Sequence, residues 1–198
     1  MAVTPRRRFT REELESFRDA TVPDLVGPGL RLLFVGINPG LWTAATSTHF
    51  AHPGNRFYPA LLRGGVIRRA IDPAAGMDDD ERAHLIECGI GITNIAPRAT
   101  ARASELSREE LRAGARELVR RIEEWRPVVV AIAGITAYRV AFERPRGQTG
   151  RQDEPLGDAE LWIVPNPSGL NAHETVATLA AAYRQVARAA GLEMTGGN

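Results

Sequence analysis

The segment LFVGINPGLWTAATSTHFAHPGNRF, from Leu33 to Phe57, opens on an apolar run and breaks at Gly36-Ile37-Asn38-Pro39-Gly40. A short run that is apolar at every position reads as a strand covered on both faces, the habit of parallel sheets. Glycine, proline and asparagine then end it in a turn, each for its own backbone reason. Taken alone, the pentapeptide is either a tight turn or the tip of a site, and both readings stand. Aromatics, His49, His52 and the pair Asn55-Arg56 follow it.

Outward from this segment, strands and helices alternate. Further buried strands are expected in CGIGITNIA, in VVVAIAG after Pro127, and in ELWIVPNPSGL. Between them, FTREELESFRDA begins with Thr10 and Glu13 in capping-box spacing, and Ser107 and Glu110 open SREELRAGARELVRRIEEW in the same way. Leu111, Ala115, Leu118, Val119 and Ile122 form the apolar stripe of that long helix. NRFYPALLRGGV and ITAYRVAF read as shorter helices, and the acidic turn GMDDDER opens another at Glu81. PRATARASEL is a polar loop, and GRQDEPLGD is a loop or hairpin. Asn171 and Glu174 are expected to cap the last helix, HETVATLAAAYRQVARAA. The alternation predicts an α/β fold with a mainly parallel sheet. Ligands of such folds sit beyond the carboxyl ends of the strands. Both Gly-Ile-Asn-Pro-Gly and the similar turn Asn166-Pro167-Ser168-Gly169 fall there, which favours a cleft.

The chain has 198 residues, enough for one domain with a real core, and its 43% hydrophobic and 25% charged content is ordinary for a globular protein. No apolar run approaches the ~18 residues of a membrane span. The basic start, MAVTPRRRFTREELESF, lacks the apolar stretch of a secretory signal. One cysteine, Cys88, is expected as a partly buried small hydrophobe in a reducing cytoplasm. A net charge of +1 does not by itself announce a nucleic-acid binder. All 25 basic residues are arginine, so no side-chain amine exists for Schiff-base catalysis. Phosphate-binding glycine loops of the usual spacings are absent. His49 and His52, without a cysteine pair or a nearby third ligand, are not expected to bind metal, and no cofactor is expected.

Together, LFVGINPGLWTAATSTHFAHPGNRFY, GIGITNIAPRAT, SREELRAGARELVRRIEEWRP and LWIVPNPSGL resemble, in order and spacing, the family of mismatch-specific uracil-DNA and thymine-DNA glycosylases. The likeness runs from about Arg31 to Arg188 and includes both turn motifs. It implies a three-layer α/β/α sandwich of the uracil-DNA-glycosylase type, around a central, mainly parallel sheet. On this basis residues 31–190 form one glycosylase domain, 1–30 a basic arm and helix, and 191–198 a tail.

The resemblance also implies roles. Asn38 matches the catalytic asparagine that holds the attacking water, where fast uracil-specific relatives carry an aspartate. An amide orients water but takes no proton, and general-base help is typically worth ~10²–10⁴-fold, so the enzyme is expected to be slow. Asn166 matches the position of the relatives' histidine and can donate to the leaving base. Backbone N–H groups near Ile37 and Phe50 match those that cradle the base, and Phe50 matches the aromatic that stacks on it. Gly40 stands where strict uracil enzymes place a bulky tyrosine, which leaves room for C5 substituents. Asn94 either lines the pocket or simply ends its strand. Ser168 belongs to the second motif. Leu170 matches the wedge inserted into the DNA stack, with backbone near Gly169 facing the orphaned guanine. Asn171-Ala172 replaces the Ser-Arg that follows the wedge in some relatives.

The expected function is therefore metal-free, monofunctional hydrolysis of the N-glycosidic bond of uracil, and of related pyrimidines such as thymine or ethenocytosine, mispaired with guanine. The expected partner is double-stranded DNA, bound by a monomer. The alternative is a non-catalytic mismatch binder on the same scaffold. A small-molecule hydrolase would need a nucleophile and base that the sequence does not supply.

Overall fold

The structure is a computed structural model and describes residues 9–195; the arginines at 6–8 and residues 196–198 lie outside the described residues. Its strands are β1 (Leu32–Gly36), β2 (Ile90–Asn94), β3 (Val129–Ala133), β4 (Gly150–Arg151) and β5 (Glu160–Val164). They form one sheet in the order β2-β1-β3-β5-β4. All pairings are parallel except β4 with β5, so GRQDEPLGD is a short hairpin. The chain leaves β1 towards one edge and returns to the other side at β3. The order therefore reverses between β1 and β3, where α/β sheets bind ligands.

Burial on both faces is what the apolar strands require. Leu32, Phe34, Val129 and Ala131 pack with helices α3 (Phe57–Arg63), α4 (Asp79–Glu87) and α7 (Val176–Ala189), around Phe57, Leu61, Leu179 and Tyr183. Leu33, Val35, Val130 and Ile132 face the opposite way. There they meet α5 (Arg108–Trp125), through Leu111, Leu118 and Ile122, and α6 (Ile135–Ala141), through Tyr138. The result is the expected three-layer α/β/α sandwich. The core also recruits Leu25, which pairs with Ile92, and Leu192 and Met194 pack against it.

Some elements differ from the sequence reading. Helix α1 (Arg11–Glu15) has the Thr10/Glu13 capping box but runs only five residues. Asp78 caps α4 and pairs with Glu81 in a capping box, so Glu81 is the third helical residue and not the first. Thr175, with Thr178, caps α7, in place of Asn171 and Glu174, because Asn171 is committed to the preceding loop. An unexpected helix, α2 (Leu41–Thr46), follows Gly40, and a 3-10 turn (Ala103–Glu105) interrupts the polar loop.

Candidate active site

The carboxyl ends of β1, β2, β3 and β5 open into one cavity of about 730 Å³. Ile37, Asn38 and Gly40 enter it from the turn after β1, and Asn94 from the last position of β2. Asn166, Ser168, Gly169 and Leu170 enter from the turn after β5, and Phe50 from the loop after α2. Asn171 lies off this cavity and lines a smaller neighbouring one, with Ile37 and Asn166 on the wall between them. Among the described lining residues there is no carboxylate, and Arg102 is the one permanent charge.

Asn38 is held by its amide nitrogen. Nδ2 donates to the Arg98 carbonyl at 2.8 Å, to Thr100 Oγ1 at 2.7 Å and to the Pro39 carbonyl at 3.1 Å. Two of these partners are carbonyls that can only accept, so the nitrogen must face them. Oδ1 is thereby left as a bare acceptor. The loop that supplies the anchors is itself braced. Thr100 N–H donates to the Pro39 carbonyl, and Thr100 Oγ1 donates to the Arg102 carbonyl at 2.9 Å. The Arg98 guanidinium bonds Glu110 at 2.7 Å and Asp19 at 2.8 Å. The bond from Arg98 holds the Glu110 carboxyl down at about 2, helped by the Ser107 backbone N–H at the start of α5.

Asn166 is held with the opposite polarity. Its Oδ1 accepts the Ser168 N–H at 2.9 Å, an Asx turn made by Asn-Pro-Ser, and this leaves the amide N–H₂ as the free end. Gly134, at φ 122°, backs it closely; a Cβ there would stand 3.6 Å from Asn166 Nδ2. The cavity therefore carries a fixed acceptor on one turn and a fixed donor on the other.

Asn94 is 8% exposed and its Nδ2 meets His49 Nδ1 at 3.2 Å, while His49 Nε2 faces the Pro23 carbonyl at 3.0 Å. Because a carbonyl only accepts, the proton of the neutral ring sits on Nε2 and Nδ1 accepts from Asn94. Burial pushes His49 below the usual histidine range, against smaller opposing effects of the Pro23 carbonyl and Asp24, while Arg82 adds to the lowering. Asn94 Oδ1 lies across Gly36, where any Cβ would come within 2.5 Å of it. Asn94's backbone carbonyl is fixed by Arg121, which also binds Asp24 and Thr93. His52, by contrast, is exposed; its Nδ1 accepts the Gly54 N–H.

Phe50 sits at φ 55°, a left-handed conformation sparsely used by bulky residues and a form of stored strain found at functional sites. Its ring stacks on Phe57, with centroids 4.2 Å apart and planes 25° apart. The backbone N–H groups of Ile37 and Phe50 find no acceptor among the described residues. Gly40 has an ordinary φ of −75° and nothing within 4 Å of where a Cβ would stand. Leu170 is 93% exposed at the crest of its loop, far more than the other exposed large hydrophobics among the described residues, Leu62 and Val128.

Sequence reasoning missed Thr43, Thr100, Arg102 and Ala133 in the lining. Thr100 is paired to the turn at Gly40 by a parallel bridge that no local pattern announces.

The sequence profile of the Uracil DNA glycosylase superfamily matches residues 23–187. A solution NMR structure from Methanosarcina acetivorans, of a protein provisionally named a uracil DNA glycosylase, superposes with a TM-score of 0.56 at 18% identity. The match covers 84% of this chain and 96% of that one, and it shows a shared fold. With both turn motifs inside the matched region, the chain belongs to the uracil DNA glycosylase superfamily.

Proposed function

We propose that this DNA glycosylase is monofunctional and excises uracil and related pyrimidines mispaired with guanine, acting as a monomer on duplex DNA with residues 31–190 as its catalytic domain. The observation that supports this reading best is the opposed polarity of Asn38 and Asn166 across one cavity. Hydrolysis of an N-glycosidic bond needs an acceptor that aligns a water at the sugar carbon, and a donor for the charge that builds on the leaving base.

On this reading the flipped base lies against Phe50, with the free N–H groups of Ile37 and Phe50 near its carbonyl oxygens. Asn38 Oδ1 accepts one hydrogen of the water, whose oxygen attacks C1′. The bond from C1′ to the base breaks and its electron pair leaves with the base, whose oxygen takes a hydrogen bond from Asn166 Nδ2. The water's proton passes to solvent, because no carboxylate among the described lining residues is there to receive it. Such a site lacks the ~10²–10⁴-fold that a general base typically supplies, and it relies on positioning instead. Preference for mispaired targets follows from the flipping step, which costs least where the base is poorly paired. The open space at Gly40 supports acceptance of C5-substituted pyrimidines.

The test is single-turnover release of free base from U·G, U·A, T·G and single-stranded substrates, with duplex affinity measured in parallel. Uracil release from U·G is expected. Asn38→Ala should lower it by orders of magnitude with affinity nearly unchanged. Duplex binding without release of any base would overturn the glycosidic reading in favour of a mismatch binder.

A further inference from the structure

The pair Asn55-Arg56 plays no part in the chemistry above, yet Arg56 makes the densest set of contacts to the turn after β5. Its guanidinium donates to three backbone carbonyls of one loop: Ser168 at 2.5 Å, Asn171 at 2.8 Å, and Glu174. Its own backbone N–H donates to the Pro167 carbonyl at 3.0 Å. Arg56 forms no ion pair with a carboxylate among the described residues, and its Nε is buried without a partner. A partly buried cation is thus neutralised by backbone dipoles alone, all drawn from the segment that carries Leu170. The seat is tight on its other side too. A Cβ at Gly169 would meet the Gly54 carbonyl oxygen at 2.5 Å, so the crest of the loop is pressed onto the residues just before Arg56.

The consequence follows from peptide geometry. In a trans peptide the C=O and the next N–H point in opposite directions. Drawing the Ser168 and Asn171 carbonyls inward therefore turns the N–H groups of Gly169 and Ala172 outward. Both residues are exposed, and neither N–H finds an acceptor among the described residues. The Asn171 and Glu174 amides close the loop internally, onto the Ser168 and Asn171 carbonyls.

We propose that Arg56 is the positioning residue of the wedge loop: its guanidinium holds residues 167–174 from beneath and presents Leu170 and the Gly169 and Ala172 amides to the DNA stack. What the loop does there rests on the glycosylase reading above; that Arg56 sets its shape does not. Arg56 touches neither base nor water and acts only through the loop. Its effect should therefore appear where the wedge is needed, in a stacked duplex, and fade on single strands.

Two measurements on the full chain test this, using Arg56→Met and Arg56→Lys. In hydrogen exchange without DNA, Arg56→Met should speed the Asn171 and Glu174 amides at least tenfold and leave the β3 amides unchanged. Arg56→Lys, which keeps a cation and donors, should give a smaller change. In single-turnover excision, Arg56→Met should lose at least tenfold more on a U·G duplex than on single-stranded uracil DNA. In a Leu170→Ala background that extra duplex loss should disappear. Unchanged exchange at Asn171 and Glu174, or equal losses on duplex and single strand, would overturn the proposal. If Arg56→Met loosens β3 as well, Arg56→Lys decides by the same criteria. If the wild-type protein releases no uracil from any substrate, the glycosylase reading fails, and the exchange result still decides the role of Arg56.

Discussion

Replacing Asn38 with aspartate separates the site described here from the generic expectation for its superfamily. The resemblance to fast relatives with aspartate at this turn suggests that Asn38→Asp should install a general base and accelerate the reaction. The hydrogen bonds say otherwise. Asn38 Nδ2 faces the Arg98 and Pro39 carbonyls at 2.8 and 3.1 Å, and a carboxylate would set an oxygen against both. Pro39 keeps a second donor, the Thr100 N–H, but no other donor to the Arg98 carbonyl exists among the described residues. An acceptor stripped of its partner costs about 1–3 kcal/mol, and repulsion between the oxygens adds to that. Because Asn38 is only half-buried, we take about 2–3 kcal/mol. At 2–4 °C per kcal/mol for a chain of this size, Tm should fall by about 4–12 °C.

The sign with pH is fixed by the same contacts. The two carbonyls raise the new carboxyl above its ordinary ~3.9, so its cost is absent in acid, where it is protonated in both states, and grows as pH rises. The loss of Tm should be larger at pH 7 than at pH 5. In activity, the ionised side chain is turned from its anchors and loses the water position. Single-turnover uracil release at pH 7 should therefore be no faster than wild type. A variant at least 100-fold faster at pH 7 with an unchanged Tm would refute the anchoring of Asn38 by its nitrogen.

Three further outcomes are expected. Gly40→Tyr meets open space at an ordinary φ, so it should fold normally; it should lower thymine release from T·G much more than uracil release from U·G in parallel single-turnover assays. Burial holds His49 below the usual histidine range, so its stabilising contribution is complete above about pH 6.5 and is lost as pH falls, when the unfolded chain takes up a proton that the folded chain resists. Excision should accordingly be nearly flat from about pH 6 to 9 and decline below, where a protonated Nδ1 can no longer accept from Asn94; a bell with limbs on both sides of neutrality would contradict this. Leu170→Ala alters a side chain that is 93% exposed, so Tm should change by the equivalent of no more than about 0.5 kcal/mol, while U·A excision falls more than U·G excision.

The parts of this molecule that were legible in its sequence are those in which local chemistry and tertiary environment agree. Strands β1 and β3 are apolar along their length because both faces are covered, β2 and β5 are apolar over most of theirs, and no helical period competes with that pattern. Helix α5 shows its stripe and its Ser107/Glu110 box directly. Helix α2 was missed because Gly40 caps it without a side chain and Ser47 ends it in a left-handed conformation, so neither end carries a recognisable signal. The start of α7 was misplaced because two capping pairs follow one another, Asn171 with Glu174 and Thr175 with Thr178. The first is out of use because both ends of the Asn171 amide are spent inside the loop, Nδ2 on the Asn166 carbonyl and Oδ1 on the His173 N–H.

The candidate site divides along the same line. Residue types at strand ends could be read, but their polarity could not. An asparagine offers an oxygen and a nitrogen of similar size, and which one faces a substrate is decided by what holds the other. Asn38 is held by a carbonyl and a hydroxyl from a loop some sixty residues away in sequence, besides the adjacent Pro39 carbonyl, so it presents an acceptor. Asn166 is held by the backbone N–H two residues on, so it presents a donor. The second is a local Asx turn, whereas the first depends on Thr100 and on the Arg98 clamp to α5. On the proposed reading, water alignment is therefore the step exposed to distant change, and base departure is set within a single turn. Thr100→Val should accordingly lower the excision rate without altering the Asn166 turn, whereas Ser168→Pro, which deletes the N–H that orients Asn166, should slow release of a poor leaving base such as thymine more than that of uracil.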